Sequence, residues 1–198
     1  IAFYARTRTE RRAVELAIEG LRLVEQKDYD LCVELFGEDR GRVKLSNNVT
    51  AIDHGILSPN ELAHLYRTCD IGLTFSATNY ALVPQEMMAC GLPVIEIDND
   101  STRAIYPADA LWLADASASS IANAIETLAE NRETRERIAK NGMDWVSKHS
   151  WEQSFMAVEQ FLKTEVNMPR DMQTHNSSSQ YYKSCLLYTS DAADEEDS

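Results

Sequence analysis

Two stretches of the sequence carry side chains whose types and spacing suit the capture of a phosphorylated ligand. The first is Arg6-Thr7-Arg8-Thr9-Glu10-Arg11-Arg12, with four guanidiniums in seven residues. A guanidinium presents a rigid fork of N–H donors that matches phosphate oxygens in charge and geometry. Basic residues are disfavoured at the positive end of a helix dipole, so four of them opening a helical stretch point to an anion partner. The second stretch runs from Thr78 to Val94 as TNYALVPQEMMACGLPV. Pro84 starts a short helix there, Gly91 ends it and Pro93 opens a strand. The free N–H groups at such a helix start can receive an anion, and Glu86 in the first turn is a carboxylate that complements the dipole.

Other chemistries find no support. The seven glycines include no G-x-G pair, so neither the dinucleotide fingerprint nor the phosphate loop ending in Gly-Lys is present. A phosphorylated ligand must then be held by helix N-termini and basic side chains at the carboxyl ends of strands. His54, His64, His149 and His175 form no HExxH or HxH pair, and Cys32, Cys69 and Cys90 fit no CxxC spacing. No metal is expected, and the cysteines read as reduced core thiols of a cytoplasmic protein. The net charge of −13 excludes a nucleic-acid surface, which requires a basic stripe. Part of that charge comes from the tail. Residues 185–198 resemble translated transposon-adapter DNA and carry five acids without a single Lys or Arg, leaving −8 for the rest.

The elements that must position the two stretches follow from hydrophobic periodicity. Short apolar runs at Ile1 to Ala5, Leu31 to Phe36, Val49 to His54, Ile71 to Phe75, Pro93 to Ile97 and Leu111 to Leu113 predict strands. Amphipathic stretches alternate with them, as stacked βαβ units require. Arg11 to Val24 predicts the first helix, and Ser58-Pro59-Asn60-Glu61 is a capping box that opens another. Asn99-Asp100-Ser101-Thr102-Arg103 reads as a loop after the fifth strand. Helices follow from Ser117 to Asn131, from Arg132 to about His149, and from 151 to 166. The expected fold class is α/β, a doubly wound parallel sheet of Rossmann type. The expected organisation is a ligand-binding lobe over 1–150, a C-terminal helix over 151–166, a disordered tail over 167–184, and foreign sequence over 185–198 that adds nothing to the fold. The chain starts as a strand already in progress, so a preceding part is expected to be missing. No apolar run approaches the roughly 18 residues of a membrane span.

The Thr78 to Val94 stretch resembles the donor-site signature of retaining GT-B glycosyltransferases of family four, the glycosyl transferases group 1, written E-G-F-G-L-V-P-x-E-A-M-A-C-G-x-P-V. The match runs through Leu82, Val83, Pro84, Glu86, Met88, Ala89, Cys90, Gly91, Pro93 and Val94. Ala5-Arg6 with Arg11 stands where the family has G-R and a basic residue five further on. Gly55 with Ser58 to Tyr66 resembles its G-x-V-x-x-x-E-L-x-x-L-Y segment, and the resemblance covers about residues 1–165. It implies the C-terminal, donor-binding lobe of an enzyme whose N-terminal acceptor lobe is absent. It also implies a nucleoside diphosphate sugar as donor, a glycan as acceptor, and no cofactor. By the same resemblance Arg6, Arg11 and Glu86 are the catalytic set. Arg6 and Arg11 neutralise the leaving diphosphate, Leu82 and Val83 offer it backbone N–H groups, and Glu86 accepts from the ribose. Thr78, Asn79 and Tyr80 would line the sugar. Departure of a diphosphate builds charge on phosphate oxygens and needs preorganised donors rather than a metal.

Within the family, the sequence is most similar to rhamnosyltransferases of the WsaF type, which build bacterial surface polysaccharides from dTDP-rhamnose. Thr78 replaces the first Glu of the family's E-x7-E pair, a departure that suits a less hydroxylated sugar. The expected setting is the cytoplasm, peripheral to the inner membrane face. Two competing functions fit the same lobe: another GT-B enzyme, such as a sugar-nucleotide epimerase, or a noncatalytic nucleotide-binding domain.

Overall fold

A computed structural model describes residues 1–27, 29–45, 49–78 and 81–166. It contains six strands: β1 (Ala2–Tyr4), β2 (Cys32–Phe36), β3 (Thr50–Asp53), β4 (Gly72–Leu73), β5 (Val94–Ile97) and β6 (Trp112–Ala114). All pairings are parallel, in the order β3-β2-β1-β4-β5-β6. Each expected strand is present; the first five are shortened by one to three residues, and the sixth keeps its length but is shifted by one residue. The sheet is the doubly wound one that the sequence pattern predicts.

The helices are α1 (Val14–Glu25), α2 (Pro59–Thr68), α3 (Val83–Ala89), α4 (Asp100–Ile105), α5 (Ala118–Glu130), α6 (Arg132–Val146) and α7 (Trp151–Val166). Side chains alternate across the central strands and seat helices of the Ile1–Ser147 unit on both faces. Phe3, Leu73 and Ile95 join Leu21 of α1 and Ile125 of α5 in one apolar core. Phe36 meets Tyr4 and, from α2, Tyr66, each at 5.5 Å between ring centroids. Residues Ile1–Ser147 form one compact unit. The helix α7 belongs to a second unit beginning at Lys148, and its Trp151 and Phe155 rings lie 6.2 Å apart.

Local signals explain the helix boundaries. Ser58 accepts the Glu61 N–H while the Glu61 carboxylate takes the Ser58 N–H at 2.8 Å, the reciprocal cap expected there. Gly91, at φ +78°, closes α3 with its N–H on the Met88 carbonyl at 2.9 Å. Two expectations need correction. The helix expected from Arg11 to Val24 is broken: a 3-10 turn spans Glu10–Arg12, and Ala13 adopts φ +44° before α1 begins. The Arg11 carbonyl is turned outward there and takes the N–H of Ala77 at 2.8 Å. The expected loop at Asn99 to Arg103 is instead the start of α4, capped by Asn99 Oδ1, which accepts the Thr102 N–H at 3.0 Å.

Among the described residues, Cys32, Cys69 and Cys90 are free, as expected, but half-buried rather than in the core. Burial pushes all three thiols up, which makes them poor nucleophiles. The expected tail segments 167–184 and 185–198 lie outside the described residues.

Candidate functional site

Every strand runs the same way, so all six carboxyl ends share one edge. Chain order reverses between β1 and β4, because β2 and β3 lie to one side of β1 while β4 to β6 lie to the other. Loops diverge at such a switch point and leave a crevice, the usual ligand position in an open α/β sheet. The loop leaving β1 carries the four arginines, and the loop leaving β4 carries Thr78 and leads to α3. The two stretches singled out in the sequence, more than 60 residues apart, therefore flank one crevice. The Ala77 N–H bond to the Arg11 carbonyl joins the two loops directly.

The arginines divide into pairs. Arg8 has its anion within the chain: Nε meets Glu38 at 2.9 Å and Nη2 meets Asp39 at 2.7 Å. Glu38 also accepts the Thr7 N–H at 2.5 Å, the Thr7 hydroxyl at 2.6 Å and the Arg8 N–H at 3.1 Å. Burial raises the Glu38 carboxyl, yet these bonds and the Arg8 charge outweigh it and hold the group below the usual carboxylate range. Arg12 is buried, with its guanidinium 5.4 Å above the Tyr4 ring centroid. Arg6 and Arg11 are half-buried beside the crevice. The anion partner inferred for the arginine cluster is thus found within the chain for Arg8, whose charge Glu38 and Asp39 hold.

Across the crevice, α3 begins at Val83 with Leu82 as its N-cap, and no side chain caps it. Tyr106 fixes the approach by donating its hydroxyl to the Ala81 carbonyl at 3.1 Å. Leu82 is exposed and Pro84 has no N–H to offer, so Leu82 and Val83 supply the backbone donors at this helix start. Glu86 lies one turn along, its outer side exposed and its inner side against Tyr66. Burial raises the Glu86 carboxyl, and the Tyr66 hydroxyl partly offsets this. Thr78 is exposed at the end of the β4 loop, its carbonyl receiving the Ser101 hydroxyl at 3.4 Å. Asn79 and Tyr80 lie outside the described residues. Arg6, Arg11 and Thr78 lie on the loops leaving β1 and β4, and Leu82, Val83 and Glu86 at the start of α3, which follows the β4 loop.

His54 pairs with Glu34, Nε2 to Oε2 at 2.5 Å, and takes no part in this crevice. Among the described residues no group of three or more His, Cys, Asp and Glu side chains is placed to hold a metal ion. No described helix is long and apolar enough to cross a membrane.

Glu96, which the sequence reading passed over, lies beneath the crevice on β5 at 2% exposure. The signal was a lone acid inside the apolar run Pro93-Val94-Ile95-Glu96-Ile97. Burial pushes its carboxyl up to about 8, although N–H bonds from Ile97 and Ser76 and the Arg12 charge favour the ionised form. A raised carboxyl stabilises the fold fully only below its unfolded value, and that contribution is lost as pH rises through about 8. In thermal melts between pH 6 and 9, Glu96→Gln should therefore gain on the wild type as pH rises. A difference that stays constant over that range would contradict an uptake of protons at Glu96 on folding.

The architecture, a six-stranded parallel sheet flanked by helices with the switch point between β1 and β4, is that of the C-terminal Rossmann-like domain of GT-B glycosyltransferases. The chain belongs to the WsaF C-terminal domain family, which it matches over residues 1–126. It is 30% identical over 158 residues to the O-antigen biosynthesis protein RfbC of Myxococcus xanthus, which spans 77% of this chain and 12% of that protein. Among solved structures, HepE of Anabaena with UDP and glucose superposes with a TM-score of 0.68 at 18% identity, over 82% of this chain and 47% of HepE. The C-terminal domain of the group 1 glycosyl transferase LpcC from Francisella tularensis gives 0.60 at 22% identity, over 75% of this chain and 82% of that one. Sucrose-phosphate synthase of Thermosynechococcus elongatus gives 0.66 at 20% identity, over 82% of this chain and 44% of the synthase.

Proposed function

We propose that this chain is the donor-binding lobe of a glycosyltransferase that moves a sugar from a nucleoside diphosphate to a glycan hydroxyl during polysaccharide assembly. One observation carries the reading. The arginine loop and the uncapped start of α3 face each other across the switch-point crevice, joined through Ala77 and Arg11. Relatedness to an O-antigen biosynthesis protein and the fold shared with a structure holding UDP and glucose support the substrate class.

In this reading the bond between the anomeric carbon and the β-phosphate oxygen breaks, and negative charge gathers on the departing diphosphate. Arg6 and Arg11 meet that charge from one side, and the Leu82 and Val83 N–H groups meet it from the other. Glu86 accepts the ribose hydroxyls and orients the nucleotide. The acceptor oxygen takes the anomeric carbon as its hydroxyl loses a proton; a separate lobe holds that glycan, so the described lobe binds donor without completing transfer.

Thr78 carries the proposal about the sugar. A Glu at this position would offer a carboxylate to donor hydroxyls, whereas Thr offers one neutral hydroxyl and a methyl group. That suits a 6-deoxyhexose, and dTDP-rhamnose is the proposed donor. Donor competition in the full-length enzyme should show dTDP-rhamnose preferred over UDP-glucose. In Thr78→Glu the preference should shift toward UDP-glucose by roughly two- to tenfold, the worth of one hydrogen bond of about 0.5–1.5 kcal/mol. A wild-type preference for UDP-glucose would overturn the donor assignment, and unchanged selectivity in the variant would remove Thr78 from its explanation. Epimerisation of the donor without transfer would favour the competing GT-B reading.

A further inference from the structure

Glu96 is the one polar residue of the otherwise apolar strand β5. Its β5 neighbours Val94, Ile95 and Ile97 are all buried with it. Oε1 accepts two backbone N–H groups, from Ser76 at 2.7 Å and from Ile97 at 2.8 Å. Ser76 belongs to the loop leaving β4, 20 residues earlier in the chain, and its carbonyl takes Asn99 Nδ2 at 2.8 Å. The next residue, Ala77, donates to the Arg11 carbonyl at 2.8 Å, and the one after is Thr78. On the other side Arg12, adjacent to Arg11, is the cation whose charge acts on Glu96. This one buried carboxylate is thus linked to both walls of the crevice while itself being too deep to touch a ligand.

We propose that Glu96 is a positioning residue for the donor site: through the Ser76 N–H it fixes the Ser76-Ala77-Thr78 loop against the Arg11 peptide and so sets the separation between the arginine wall and the α3 wall. The inference rests on the donor-site reading given above. A buried carboxyl is a costly way to fill space, and a Leu of similar size would pack there with less desolvation. What only an acceptor at this depth can do is satisfy the Ser76 N–H, which is buried with it and would otherwise lose its partner. The loop then has a fixed conformation before any ligand arrives, which lowers the ordering cost of binding.

The test is calorimetric titration of UDP and of dTDP into this chain as wild type, Glu96→Gln, Glu96→Leu and Glu96→Asp, with each variant's fold checked by circular dichroism. Gln keeps an acceptor at the same reach, so its affinity should stay within about twofold of wild type. Leu fills the volume without an acceptor, and Asp keeps the carboxyl but withdraws it by one methylene. Both should bind roughly tenfold more weakly, the expected loss for one positioning hydrogen bond. Asp keeps the inference open to disproof should Leu fail to fold. A folded Leu or Asp variant that binds as tightly as wild type would overturn the positioning role. So would a Gln variant as weak as the others, because an acceptor for the Ser76 N–H would then not be enough to hold the site. Absence of nucleotide binding by the wild type would overturn the donor-site reading and this inference with it, an outcome distinct from the first two.

Discussion

Replacing Gly37 with alanine should lower the stability of this lobe by about 3 kcal/mol or more, near 10 °C in melting temperature. Gly37 follows β2 at φ +97°, a conformation that costs an L side chain roughly 1–2 kcal/mol. A Cβ there would also fall inside the Tyr4 ring. That ring cannot move aside, because Phe36 packs against it and the Arg12 guanidinium lies over it. The turn is held as well by the Gly37 N–H on the Gly55 carbonyl at 3.0 Å. Gly41 supplies the control. It has φ +80° but open space where a Cβ would stand, so Gly41→Ala should cost only the backbone strain. Thermal melts of the two variants separate strain from collision. Equal losses would mean that the Tyr4 ring yields, and that the carboxyl edge of β1 and β2 is softer than its packing indicates.

The largest functional effect is expected from the double variant Arg6→Ala with Arg11→Ala. Each guanidinium making charge-assisted hydrogen bonds to a diphosphate is worth about 1.5–3 kcal/mol, so the pair should weaken nucleoside diphosphate binding by roughly 100-fold or more. Nucleoside alone should bind as before, since its sugar and base lie away from these charges in the proposed pose. Arg8→Ala should change diphosphate affinity little, although Arg8 belongs to the same cluster, because Glu38 and Asp39 already hold its charge. Calorimetry on the three proteins checks this division. Diphosphate binding unaffected in the double variant would return Arg6 and Arg11 to solvated surface. A large loss in Arg8→Ala would mean that the ion pair with Glu38 opens to receive the ligand.

The contrast among these arginines marks where sequence reading stops. Strand positions were legible because buried parallel strands are largely apolar runs, as in Ala2 to Tyr4. The start of α2 was legible because Ser58 and Glu61 cap each other within four residues. The break before α1 was not, because Ala13 carries no mark of a left-handed backbone. Its conformation follows from the bond between the Arg11 carbonyl and Ala77, 66 residues away. Arg8 and Glu38 find each other across 30 residues for the same reason. Asn99-Asp100-Ser101 did hold a local signal, since Asn caps helices as readily as it makes turns, and the cap prevailed. That the Arg6 to Arg12 and Thr78 to Val94 stretches follow strands at their carboxyl ends was legible from the strand pattern. What holds the crevice in shape, namely Glu38, Glu96 and Asn99, is built from contacts distant in sequence.

The central claim is that this lobe binds a nucleoside diphosphate at the switch point between β1 and β4. Amide chemical shifts followed while dTDP, and separately UDP, is titrated into the isotope-labelled chain test it most directly. The account predicts saturable shifts concentrated in three places: residues 4–12 after β1, residues 74–78 after β4, and the start of α3 from Leu82 to Glu86. Shifts that fail to saturate, or that cluster on the β3 edge or along α5 and α6 with the switch-point loops unmoved, would contradict it.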